Sequence, residues 1–171
     1  MSSKDKNLSE VPSISLNKPE SIKVGVAVAL WNEEITSSLW EGCKDYLLKQ
    51  GLLEKNIIKV EVPGTFELPM ACKMLIQSNN LQGTVAIGCV IKGETSHNEY
   101  INNAVANGLV QLSLLSSTPC IFGVLTPNSM EQALERAGGS YGNKGVEAGS
   151  TLLQMISLDQ SLQSSHHSIG F

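Results

Sequence analysis

The segment Gly93-Glu94-Thr95-Ser96-His97 sets a carboxylate, two hydroxyls and an imidazole side by side. An imidazole moves protons near neutral pH. The unpaired N–H groups of a helix's first turn hold an anion, and a glycine lets the backbone come close to a ligand. A structural reading competes, because Ser96 and Glu99 have the S-x-x-E spacing of a capping box. A lone histidine is otherwise an ordinary surface residue, and local sequence leaves both readings open.

Three further stretches carry the same ambiguity. In VPGTFELP, residues 62–69, Pro63 and Gly64 break a strand, Thr65 is placed to cap a helix, and Pro69 falls in a tolerant first turn. Glu67 is then either a carboxylate favoured by the helix dipole or an acceptor for a polar ligand. In LWNEEIT, residues 30–36, Trp31 is either a core side chain or a flat face for stacking on a planar ring. In ERAGGSYGNKGVE, residues 135–147, Arg136 either answers a helix C-terminal dipole or clamps a phosphate bidentately. Lys144 and Glu147, three apart, have the spacing of an exposed ion pair. No nucleophile elbow and no Walker-type phosphate loop is present. His166 and His167 have no Cys or carboxylate neighbours, so no metal site is expected.

Four apolar runs must position these groups: 23–30, 57–62, 83–91 and 119–126. They are rich in Val, Ile and Ala and mostly do not alternate, which predicts strands of a parallel sheet covered on both faces. Helices are expected over 33–50, 66–77, 97–115, 130–137 and 144–157. The first steps through Ile35, Leu39, Cys43 and Leu47 and stops at Gly51. The order β-α-β-α-β-α-β-α-α gives a three-layer α/β/α sandwich. Ligands of such folds lie beyond the carboxyl ends of the strands. Residues 1–20 read as a flexible N-terminal arm with a short strand near 13–16, residues 21–158 as one domain, and residues 159–171 as a flexible tail.

Composition sets the outer limits. A chain of 171 residues, 42% hydrophobic and 16% charged, has enough apolar material for a folded core. A net charge of −4 with no basic run argues against nucleic acid. No apolar run reaches the length of a membrane span, and MSSKDKNLSEVPS has no apolar signal core. Cys43, Cys72, Cys89 and Cys120 sit in apolar contexts without CxxC spacing, as reduced thiols of a cytoplasmic protein would.

Taken in order, WNEEIT, VPGTFELP, GCVIKGETSH, FGVLT, EQALERAG and GNKGVEAG resemble the 6,7-dimethyl-8-ribityllumazine synthase family across residues 24–156. The resemblance implies a flavodoxin-like sandwich with a four-stranded parallel sheet, assembled into pentamers whose sites lie between neighbouring subunits. It implies condensation of 5-amino-6-(D-ribitylamino)uracil with 3,4-dihydroxy-2-butanone 4-phosphate, without metal or organic cofactor, in riboflavin biosynthesis. Riboflavin synthase is a further partner it suggests. By the same resemblance Trp31 stacks on the pyrimidine, and Thr65, Phe66 and Glu67 hold the ribityl chain and ring. The backbone of Cys89, Val90 and Ile91 reads the pyrimidine edge, Glu94 and Thr95 meet the phosphate, and His97 transfers protons. Phe122, Arg136, Lys144 and Glu147 reach in from the adjacent subunit, Arg136 pairing with the phosphate.

Three residues depart from the family's habit: Lys92 replaces an Arg, Asn98 follows the histidine where an aromatic is common, and Asn103 stands where several members carry Glu. The short joint 137–143 resembles members that build shells of sixty subunits; a free pentamer is the alternative. Two other functions compete. A flavin carrier on the same fold would need a phosphate loop after the first strand, and Ala29-Leu30-Trp31-Asn32 is not one. A non-catalytic, lumazine- or flavin-binding shell protein would have lost reactive residues that are present here.

Overall fold

A computed structural model of the chain describes Ser9, Val11 and residues 14–167. Strands β1 (Val24–Ala29), β2 (Ile57–Val62), β3 (Gly83–Cys89) and β4 (Cys120–Leu125) form one parallel sheet in the order β2-β1-β3-β4. Helices α1 (Glu33–Lys49) and α5 (Lys144–His167) cover one face, and α2 (Leu68–Ser78) and α3 (His97–Ser116) the other. This is the three-layer, flavodoxin-like arrangement expected. The central strands β1 and β3 are buried along their whole length, whereas β2 exposes Lys59 and Glu61 and β4 is fully buried only over 123–125. That is why the central runs read as continuous rather than alternating.

The two faces of the sheet differ in side-chain size. Val24, Val26, Val28, Val85 and Ile87 face α1 and α5. The α2–α3 face presents Gly25, Ala27, Ala29, Ala86 and Gly88, so those helices approach closely. At Gly88 the approach is tightest near the carboxyl edge: a Cβ there would lie 2.7 Å from Thr65 Oγ1 and 3.1 Å from Leu68 Cδ1. A similar economy lets α5 cross α1, since a Cβ on Gly145 would run into the carbonyl of Leu39.

Helix α1 ends as the sequence predicts. Gly51 takes φ 93°, and its N–H donates to Leu48 O at 2.9 Å. Two local expectations are corrected. Ser96 precedes α3 but its side chain makes no capping bond, and only its carbonyl accepts from Glu99 N–H. Thr65 caps nothing either: it is buried in a short 3-10 turn, Thr65–Glu67, that precedes α2. With β3's backbone bare at Gly88, burial there wins over capping.

The connection from β4 to α5 holds more structure than the sequence predicts. Helix α4 (Met130–Glu135) is followed by a two-stranded hairpin, β5 (Ala137–Gly139) and β6 (Gly142–Asn143). Gly138 and Gly142 take φ 118° and 85°, which such a tight reversal requires. Ser38 on α1 donates its hydroxyl to Ala137 O, and Asn143 Nδ2 donates to Ser38 O at 2.9 Å.

Residues 14–16 form no strand; Ile14 and Leu16 pack on the α1–α5 core, and Ser157 Oγ donates to Ser15 O at 2.8 Å. Asn17 and the Gln160 side chain exchange a pair of hydrogen bonds. Helix α5 continues through 159–167, past the end expected for it, and residues 168–171 lie outside the described residues.

Candidate active site

The strand order reverses between β1 and β3, so the loops after β1 and β3 diverge and open a crevice at their carboxyl ends. A cavity of about 500 Å³ fills it, within the usual range for a small-molecule site. Trp31 and Asn32 enter from the loop after β1, and Gly64, Thr65, Phe66 and Glu67 from the turn after β2. Cys89, Val90, Ile91, Gly93 and Thr95 come from the end of β3, and His97, Asn98 and Ile101 from the first turns of α3.

Each group is held by a local cause. Asn32 takes a left-handed conformation, φ 60°, which Asn tolerates better than most residues. Its Nδ2 donates to Cys89 O at 2.9 Å, and its own carbonyl accepts from Ile35 and Thr36 N–H at the start of α1. Leu30 N–H donates to Val62 O at 2.8 Å. The chain around Trp31 is therefore tied to β2 and to β3, and Trp31 itself stands 73% exposed. The core reading of Trp31 is excluded. Phe66, 59% exposed, follows the buried Thr65 and presents a second aromatic surface to the cavity.

The end of β3 offers unused backbone. Val90 N–H donates to Leu125 O and Lys92 N–H to Pro127 O, both at 2.9 Å. Successive residues of a strand point their amides to opposite sides. Ile91 therefore directs its N–H and C=O toward β1, which has already ended, and no backbone partner holds them among the described residues. Cys89 is buried, and burial pushes its thiol up to about 11. It stays protonated at neutral pH and serves the site through its backbone, not as a nucleophile.

His97 is exposed at the start of α3, where the first N–H groups have no carbonyl behind them within the helix. The inner stripe of that helix runs Asn98, Ile101, Asn102, Val105 and Leu109. Apolar residues are usual at such positions. Here the Oδ1 atoms of Asn98 and Asn102 are buried without a hydrogen-bond partner, and each such atom costs about 1–3 kcal/mol.

The remaining candidates do not line this cavity. Glu94 is exposed outside it. Phe122 lies on the outer strand β4, packed toward α3. Arg136, Lys144 and Glu147 form their own cluster where the hairpin meets α5. Arg136 Nη2 lies 2.6 Å from Glu147 Oε1, Arg136 Nη1 donates to Tyr141 O at 2.8 Å, and Lys144 Nζ lies 3.3 Å from Glu147 Oε2. Among the described residues no Lys or Arg lines the cavity. Asn32, Gly88 and Ile101 had not been singled out as site residues. A helix-preceding Asn was the only sequence signal for the first, and nothing marked the other two.

The chain is 48% identical over 160 residues to 6,7-dimethyl-8-ribityllumazine synthase of Cytophaga hutchinsonii, covering 91% of this chain and 98% of that one. It is 45% identical over 154 residues to the Porphyromonas gingivalis enzyme of that name, covering 90% and 96%. With the Parabacteroides distasonis enzyme the figure is 41% over 150 residues, covering 88% and 94%. The sequence profile of 6,7-dimethyl-8-ribityllumazine synthase matches residues 21–160, which takes in all four strands and the cavity they open, and the chain belongs to that family.

Proposed function

We infer that this chain condenses 5-amino-6-(D-ribitylamino)uracil with 3,4-dihydroxy-2-butanone 4-phosphate to give 6,7-dimethyl-8-ribityllumazine. The observation that carries this reading is the cavity itself. It sets an exposed imidazole beside two aromatic surfaces and an uncommitted backbone amide, in a chain of this family.

The aromatic ring of the uracil lies against Trp31 and Phe66, and its polar edge meets Ile91 N–H and C=O. Thr65 and Glu67 take the ribityl hydroxyls. The 5-amino group attacks the ketone and water leaves as an imine forms. Phosphate then departs by elimination, and the ribityl-bearing nitrogen closes the ring with loss of a second water. Each step needs a proton delivered or removed, and His97 is the group placed to do it. A single acid–base group contributes about 10²–10⁴ in rate. Holding two substrates together contributes about 7–11 kcal/mol more.

The phosphate requires a cation, and among the described residues no Lys or Arg lines the cavity. Arg136 provides it from a neighbouring subunit, with Lys144 and Glu147 supporting it and Phe122 closing the apolar wall. Glu94 and Thr95 bring amides to the same phosphate. The working unit is then a ring of five chains, built further into a shell of sixty. Its place is the cytoplasm, where the four free cysteines stay reduced, and riboflavin synthase is a fitting partner. No observation favours the non-catalytic shell protein.

The test joins an assay to a size measurement. The purified protein, given both substrates, is expected to yield fluorescent lumazine, and light scattering to give the mass of a shell. No turnover with either substrate in excess would refute the condensation, and a particle of pentamer mass would refute the shell alone.

A further inference from the structure

Helix α3 spends two positions of its core-facing stripe on amides. Asn98 and Asn102 lie four residues apart, so their side chains are neighbours along one side of the helix. Four buried side-chain polar atoms lack a partner among the described residues: Tyr46 Oη, Thr84 Oγ1 and the two amide oxygens on α3. Of these four residues only Asn98 lines the cavity, between His97 and Ile101. An apolar side chain there would carry no unpaired acceptor. A residue that weakens the fold at the wall of a binding site is the kind of local inconsistency that function explains.

We propose that Asn98 is a specificity-determining residue, reading a hydrogen-bond donor of the ribitylaminouracil, with Asn102 positioning it from one turn behind. Where Asn98 Oδ1 lies in the free protein, water does not reach it. A donor arriving in the adjoining cavity gives the amide a reason to turn outward, because it exchanges an unpaired acceptor for a hydrogen bond. The nitrogen substrate is the one that fits. It lies against the same wall as Trp31, Phe66 and Ile91, and it bears N–H and O–H groups along its length. Asn102 has no cavity surface of its own. Its amide keeps the second place on the stripe polar, so that Asn98 has room and a hydrogen-bonding neighbour when it turns. This inference rests on the proposed function and assigns one of its substrates to one side chain.

The experiment uses Asn98→Leu, Asn102→Leu and the double variant in the full-length protein. For Asn98→Leu the account expects a thermal midpoint at or above that of the parent, a KM for ribitylaminouracil raised about tenfold, and an unchanged KM for the butanone phosphate. Asn102→Leu is expected to raise the first KM about threefold alone, and not at all in the Asn98→Leu background, because it acts through Asn98. Unchanged affinity for ribitylaminouracil in Asn98→Leu overturns the proposal. So does a parallel rise of both KM values with a lowered midpoint, which marks a structural role. Equilibrium dialysis of ribitylaminouracil against the parent and Asn98→Leu separates the two inferences. If the parent binds the pyrimidine without condensing it, the proposed function fails while a binding difference still decides the role of Asn98.

Discussion

Two polar regions of this chain are built in opposite ways. The cavity at the carboxyl ends of β1 and β3 holds groups left uncommitted: an exposed imidazole, two open aromatic surfaces and a strand-end amide without a partner. The cluster where the hairpin meets α5 is fully committed, with Arg136 bound to Glu147 and Tyr141 and with Lys144 bound to the same carboxylate. Among the described residues one region has a pocket without a Lys or Arg in its lining, and the other has such cations outside that pocket. The proposed shared site joins these two regions across a contact between subunits.

The strongest contrast is chemical. His97→Ala should lower turnover by about 10²–10⁴ while leaving assembly mass unchanged by light scattering. Wild-type turnover in that variant would remove proton transfer from the cavity. Arg136→Ala should act on the phosphorylated substrate, raising its KM by about ten- to a hundredfold, as loss of a charge-assisted hydrogen bond does. A variant that only melts earlier, with phosphate affinity intact, would leave Arg136 a tie for the hairpin and nothing more.

The next effect concerns how the cavity is held. Gly88→Ala drives a methyl against Thr65 and Leu68, and overpacking of this kind costs about 1–3 kcal/mol. Chemical denaturation should show that loss together with weaker substrate binding, because the turn carrying Phe66 and Glu67 moves with Thr65. Unchanged stability would mean that the turn is looser than its packing implies.

The smallest effect belongs to the hairpin. Ser140 donates its hydroxyl and its N–H to Glu135, and these bonds hold that carboxyl below its ordinary value of 4.5. A carboxyl lowered in the folded state adds stability above its unfolded value, and the gain disappears as pH falls through the folded one. Ser140→Ala should therefore lose slightly less stability than the parent between pH 6 and pH 3, by thermal melting. An equal loss in both would show that the bonds contribute nothing in solution.

Much of this was readable from residue types, and what was not has physical causes. The central strands were plain because burial on both faces makes β1 and β3 continuous apolar runs. The hairpin 137–143 was hidden because its strands are too short to alternate and are largely glycine. Ser96 and Glu99 matched a capping box that does not form, since spacing fixes only what a side chain is able to reach. The candidate cavity residues lay beside breaks in strands, where sequence signals are strong. Gly88 and Asn32 were missed because their roles depend on segments far away in the chain: Thr65 for one and Cys89 O for the other. The expectation that His97 and Arg136 serve one site from different chains came from resemblance alone, since no local pattern says which chain a side chain will serve.

The joining of the two halves across a subunit contact is tested most directly by mixing variants. His97→Ala and Arg136→Ala chains, each impaired alone, are co-expressed so that they assemble together, and turnover is read at a butanone phosphate concentration well below the KM of the Arg136→Ala protein. If imidazole and guanidinium come from different chains, about a quarter of the contacts in a randomly mixed ring unite the two intact halves, and activity should return well above that of either variant. If mixed assemblies form and activity stays at the average of the two parents, both groups act from within one chain, and the shared site is wrong.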